Sequence, residues 1–298
     1  VNRPLKMFLL TCLAMLAFAA NSLLNRVALS DTAIDPASFT LIRLLAGAVF
    51  LWFIHAYRPS GERLKRKASV GGNWLSAAAL FIYAAGFSFA YLSLTAATGA
   101  LLLFAAVQIT MMAVALSRGE RLNAMQMLGF TLALTGLVIL LLPGVSAPSW
   151  QGAVLMLVAG MAWGIYTLRG QGATDPLQTT AGNFVRAVPF ALLCWFVWGA
   201  AEPDAIGVWY AVLSGGIASG VGYAIWYSVL PSLSAMIAAT VQLSVPVLAA
   251  VGGVLLLSES VALRLLVASM AILGGIAIVI GARKTQRQSP DVKSTKAD

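Results

Sequence analysis

The chain has 298 residues, of which 60% are hydrophobic and only 10% charged, with a mean hydropathy of +0.89 and a formal net charge of +9. Soluble domains carry about 25% charged residues, so the solvent around this chain is largely lipid. Its basic excess does not mark a nucleic-acid binder, because Lys and Arg are spread over short loops and a polar tail.

A membrane-crossing helix needs about 20 mainly apolar residues to span roughly 30 Å of hydrocarbon. Ten such stretches are predicted, at 5–28, 37–57, 74–94, 98–117, 124–142, 150–170, 178–199, 206–228, 233–257 and 261–282, joined by short connectors. In the first, Ala17-Phe18-Ala19 has the form of a signal cleavage site, but the apolar run continues too far for a cleaved leader. That span carries Asn21 at depth. The second carries Arg43, and the third carries Tyr83, Phe87 and Tyr91 at i, i+4 and i+8 on one helical face.

Gln108 lies well inside the fourth span, and Gly119-Glu120 precedes the fifth, which is aliphatic throughout. The sixth holds Trp163 between Gly160 and Gly164, with Tyr166 one turn on; the other seven Trp lie near span ends, as interfacial residues do. Arg186 is in the seventh span, Tyr223 and Tyr227 in the eighth, Gln242 and Pro246 in the ninth, and Ser258-Glu259 leads into the aliphatic tenth. Residues 284–298 read as a disordered tail.

Basic loops resist translocation. With a cytoplasmic N-terminus, about fifteen of the 19 basic residues fall inside, five of them between Arg58 and Lys67. Both termini are therefore expected in the cytoplasm, in a bacterial inner membrane.

Slid by about 140 residues, the halves match in order: Leu41-Ile42-Arg43 with Phe184-Val185-Arg186, Gly86-Phe87 with Gly222-Tyr223, Val107-Gln108 with Val241-Gln242, and Gly119-Glu120 with Ser258-Glu259. The expected fold is an all-α membrane protein of ten transmembrane helices in two inverted five-helix repeats, residues 1–145 and 146–283. Five spans per repeat is odd, so the second copy lies upside down. Inverted repeats build two similar half-gates around a midplane site, which is a transporter architecture.

At these residues, Gly119-Glu120-Arg121-Leu122, Ser258-Glu259-Ser260-Val261 and Pro246 above all, the chain resembles the drug/metabolite transporter superfamily and its EamA-type ten-helix exporters. The first span has Phe18-Ala19 where the family often has Trp-Gly, and the fourth lacks the usual proline near Met111-Met112. Within the superfamily the likeness is to YddG-type amino acid exporters. That resemblance implies a small-metabolite substrate such as an amino acid, the lipid bilayer as surroundings, and no cofactor.

Trp163, Tyr83, Phe87 and Tyr223 are either packed inside the bundle or the wall of a substrate cavity. Gln108, Gln242, Asn21 and Tyr166 are either interhelical hydrogen-bonding groups or cavity groups for a zwitterion. Arg43 and Arg186 either snorkel or act as gates. In the gating reading, Arg43 faces Glu259 on the outside and Arg186 faces Glu120 on the inside. No catalytic, metal-ligating or phosphate-loop motif occurs, and His55 is the only histidine. A carrier for cationic drugs or other metabolites is the alternative; an intramembrane enzyme or a channel fits less well.

Overall fold

The computed structural model describes residues 3–57, 71–117, 119, 123–144, 147–170, 173, 175–199, 204–229, 232–233 and 241–288. They form ten helices: α1 (Arg3–Asp31), α2 (Pro36–Ala56), α3 (Trp74–Ala90), α4 (Ala96–Ser117), α5 (Ala124–Leu141), α6 (Trp150–Gly170), α7 (Pro176–Trp198), α8 (Ala205–Val229), α9 (Ser244–Leu257) and α10 (Leu263–Gln288). Most boundaries fall within a few residues of expectation. For α9 the expected start, from residue 233, falls largely outside the described residues.

Helix starts follow from capping chemistry, since a side-chain oxygen at the N-cap satisfies amides that the helix leaves open. Asp35 accepts from the backbone N–H groups of Ala37 and Ser38, with Pro36 in the first turn where its missing N–H costs nothing. Asn73 caps α3 through Ser76 N–H, and Asn123 forms a reciprocal capping box with Gln126. Asp175 and Asp204 cap α7 and α8.

Among the described residues seven helices are long and apolar enough to cross a membrane: α1, α2, α4, α5, α6, α7 and α8. The apolar helices Trp74–Ala90, Ser244–Leu257 and Leu263–Val279 are shorter. Large apolar side chains such as Phe8, Leu193, Phe196, Leu255 and Met270 point outward, where lipid hydrates nothing and solvates them well. Trp52, Trp74, Trp150, Trp198 and Trp209 are exposed as expected of interfacial residues, but Trp226 is buried and packs edge-on to Phe18. Tyr91 is fully buried beside Gly99.

Lipid tails are as apolar as Leu, so helices associate through close packing of small residues rather than through a hydrophobic drive. The most extensive pairing joins α5 to α10, where Gly129 meets Gly275 and Gly136 meets Ala271 and Ile272. Among the described residues this pair meets the rest of the bundle chiefly through α4. In the bundle, α6 lies against α3 and α4, α2 against α7 and α8, α7 against α3, and α1 against α8 and α9, with α9 on α4. Gly160 lets α6 approach α4 so closely that a Cβ there would lie 2.5 Å from the Leu103 carbonyl oxygen and 2.6 Å from Ala106 Cβ.

Candidate substrate site

A narrow, partly open cleft sits where α1, α3, α4, α6 and α8 converge. One wall is aromatic. The Trp163 ring lies 4.8 Å from Tyr83, 5.2 Å from Tyr223 and 5.5 Å from Tyr166, centroid to centroid. Phe87 adjoins Tyr83 at 5.4 Å, and Phe18 meets Tyr223 edge-on at 5.8 Å. Ring pairs at these separations hold one another in place and present flat apolar faces. Trp163, Tyr83, Phe87, Tyr223 and Asn21, all expected from the sequence, therefore line one space, although α9 supplies none of the lining among the described residues.

Arg43 stands just behind the polar edge of this cleft and is 2% exposed. Its Cα lies seven residues into α2, about 10 Å from the helix start at 1.5 Å per residue, and the guanidinium points inward. It lies 5.4 Å from the Phe87 ring centroid and 5.7 Å from that of Tyr83. It donates to Asn25 Oδ1 at 3.2 Å, Asn21 Oδ1 at 3.4 Å and Ser219 Oγ at 3.5 Å. All three bonds are longer than the usual ~2.9 Å, and the acceptors are shared. Ser214 Oγ also donates to Asn21 Oδ1 at 2.7 Å, and Ser88 Oγ to Asn25 Oδ1 at 3.4 Å. Among the described residues no carboxylate pairs with Arg43; the ion pair found is elsewhere, between Arg26 and Glu259. The expected Arg43–Glu259 pair is thus not made, because Arg43 turns toward the bundle axis and Arg26 reaches Glu259 first.

The serines reach this network through an unusual helix. Within α8 the nine residues Leu213–Val221 are wound with i→i+5 hydrogen bonds. At about 100° per residue an α-helix sets positions five apart about 140° from each other, whereas the wider winding brings Ser214 and Ser219 onto one buried face. Gly215 packs against the backbone of Arg43, where any Cβ would overlap its carbonyl oxygen.

Glu259 forms a latch at the end of the bundle where α1 finishes. Its Oε1 accepts from Arg26 Nε at 3.2 Å, and its oxygens accept from Ala96 N–H at 3.1 and 2.9 Å, at the first turn of α4. A carboxylate there also complements the positive end of the helix dipole. Arg26 Nη1 donates to the Tyr91 carbonyl at 2.9 Å, so the latch joins α1, α3, α4 and the α9–α10 turn.

At the opposite end, Arg186 Nη1 donates to the carbonyls of Gly71 at 2.6 Å and Gly182 at 3.0 Å, while Glu120 lies outside the described residues. Arg169 donates to Ser76 Oγ and Asn73 Oδ1, both at 3.1 Å, beside a second pocket that includes Tyr166, Asn183 and Tyr227. Tyr166 thus touches Trp163 with its ring but turns its hydroxyl toward Asn183, away from the cleft. Gln108 lies in a separate pocket between α4, α5 and α10, and Gln242 precedes α9 without lining the cleft.

Sequence reading missed Asn25, Ser88, Ser214 and Ser219, along with Ser22 and Phe18 of the lining. Asn25 was legible as a second amide one turn from Asn21; the small residues carry no such signal.

A bundle of this apolarity, with seven helices that can each cross a bilayer and a polar-edged cleft at its centre, is a multi-pass membrane protein of the carrier kind. The EamA-like transporter family matches residues 5–142 and 150–281, and the chain belongs to that family. An uncharacterized protein of Pseudomonas aeruginosa is 56% identical over 92% of this chain and 94% of its own length. An uncharacterized transporter of Archaeoglobus fulgidus is 27% identical over 85% of this chain and 90% of its own. One solved crystal structure shares the fold, with a TM-score of 0.64 at 20% identity, covering 92% of this chain and 96% of that one. The protein is a transporter of the drug/metabolite type in the inner membrane.

Proposed function

We propose that this protein is a secondary transporter that exports small metabolites, namely amino acids with aromatic or other apolar side chains, across the bacterial inner membrane by alternating access. The observation carrying this reading is the central cleft, where Trp163, Tyr83, Phe87 and Tyr223 offer ring faces to a side chain while Asn21, Ser219 and Arg43 offer donors to a carboxylate. Outward flow is taken from the likeness to YddG-type exporters.

In this reading all ten helices span the bilayer as inverted repeats, 1–145 and 146–283, with both termini in the cytoplasm. Support comes from the packing, whose main pairings survive when each helix is exchanged with the one five places away. Thus α3–α6 exchanges with α8–α1, α4–α6 with α9–α1, and α2–α8 with α7–α3, while α2–α7, α4–α9 and α5–α10 exchange with themselves. The family's two matched segments point the same way. Transport is uncoupled or exchange-driven, because no Asp, Glu or His lies among the described cleft residues to relay a proton.

The test is uptake into proteoliposomes against a panel of amino acids. Saturable flux of phenylalanine, tryptophan or leucine is expected, and flux confined to cations or sugars would reject the substrate assignment.

A further inference from the structure

A transporter of zwitterionic amino acids has two charges to satisfy, and the cleft meets only one. The guanidinium of Arg43 is buried, held by three long hydrogen bonds, and without a carboxylate partner among the described residues. An isolated buried cation is expensive inside a membrane protein, which makes it a functional group by default. Two of its acceptors, Asn21 Oδ1 and Ser219 Oγ, belong to residues that line the cleft. A carboxylate entering there replaces weak neutral acceptors with a charge-assisted, two-oxygen one, the partner a guanidinium suits best.

Nothing comparable awaits an ammonium. The described lining contains no acidic side chain. Of the ring faces in the cleft, those of Tyr83 and Phe87 already meet Arg43, which leaves rings such as Phe18, Trp163 and Tyr223 to attract a cation without a carboxylate beside them. A second positive charge beside it is repelled with little screening in so apolar a setting.

We propose, resting on the transport reading above, that the recognised substrate feature is an anionic carboxylate on an aromatic or apolar body, with Arg43 as its electrostatic anchor and the α-ammonium dispensable. The class extends from apolar amino acids to the corresponding monocarboxylates that lack a free amine.

Three probes share one skeleton and separate the charges: 3-phenylpropionate, phenylalanine and 2-phenylethylamine. Equilibrium binding to the purified full chain in nanodiscs, followed by tryptophan fluorescence, is compared with flux of the same compounds in proteoliposomes. We expect 3-phenylpropionate to bind at least as tightly as phenylalanine, and 2-phenylethylamine roughly tenfold or more weakly. Arg43→Gln should weaken both carboxylates by a similar factor without weakening the amine, and Arg43→Lys should restore part of the loss.

The comparison in the unaltered protein decides the matter even if Arg43→Gln does not fold. Binding of 2-phenylethylamine as tight as that of 3-phenylpropionate, a clear preference for phenylalanine over the acid, or binding of none of the three would each overturn the inference. Flux of phenylalanine together with such a result leaves the transporter reading standing. Acid binding without flux of any probe sustains the carboxylate site and rejects transport through it.

Discussion

Removing the Glu259 carboxylate should open the end of the bundle where α1 finishes. In Glu259→Ala, Arg26 loses its ionic partner and Ala96 N–H loses both acceptor contacts, while the Arg26 bond to the Tyr91 carbonyl remains. Charge-assisted hydrogen bonds contribute about 1.5–3 kcal/mol each when well buried. Here the Glu259 side chain is 10% exposed and that of Arg26 22%, so water recovers part of the loss. A net loss of about 2 kcal/mol from the closed arrangement remains, which is roughly thirtyfold in an equilibrium constant.

The assay is labelling of a cysteine placed at Ser22, which is buried in the cleft wall, after Cys12→Ser and Cys194→Ala have removed the native thiols. A membrane-impermeant maleimide applied from the Glu259 side should react at least tenfold faster in Glu259→Ala than in the parent. Arg26→Gln should act in the same direction, and Arg186→Gln should not. A labelling rate unchanged within about threefold, in a variant that unfolds at the parent temperature, would show that the latch only complements the α4 dipole.

Trp163→Ala removes one ring from the cleft wall, together with its contacts to Tyr83, Tyr166 and Tyr223, and should weaken binding of an aromatic substrate up to about tenfold, by fluorescence or ligand competition, whereas Trp163→Phe retains most of it. Gly160→Val forces a branched side chain against the α4 backbone and should lower stability by about 1–3 kcal/mol, seen as a lower thermal midpoint in detergent. With no Asp, Glu or His among the described cleft residues, an imposed pH gradient should drive no accumulation, and flux should vary less than about twofold between pH 5 and 8. Steady accumulation that follows the pH gradient would refute the uncoupled mechanism.

Helix number and limits were legible because the solvent dictates them. Long apolar runs, punctuated by Asp35-Pro36, Asn73, Asn123, Asp175-Pro176 and Asp204, leave few places for a helix to start. Which way each side chain faces was less legible. In a soluble helix the polar stripe shows the outside, but α1 and α4 carry only scattered polar residues within their apolar runs, so depth alone could not tell Asn21, which faces the cleft, from Gln108, which faces the α5–α10 pair. The deep aromatics were found because ring size and glycine spacing restrict where they fit. The direction Arg43 takes across the bundle was not legible, since a long side chain reaches well away from its Cα. Arg26, near the end of α1, was left out of the sequence reading, and the expected pairing of Glu259 with Arg43 followed from that omission.

The widened turns of α8 set the rotational phase between its two ordinary halves, Ala205–Val212 and Gly222–Val229. Deleting a single residue between Gly215 and Ala218 would keep a helix of nearly the same composition and hydropathy. It would also change the rotation accumulated across the widened turns, which is smaller per residue than in an α-helix, and so re-phase Tyr223 and Trp226 against Trp163 and Phe18. Insertions and deletions, ordinarily confined to loops, therefore have a distinct meaning in this segment: they re-index which face of α8 meets the cleft while leaving the neighbouring helices in place.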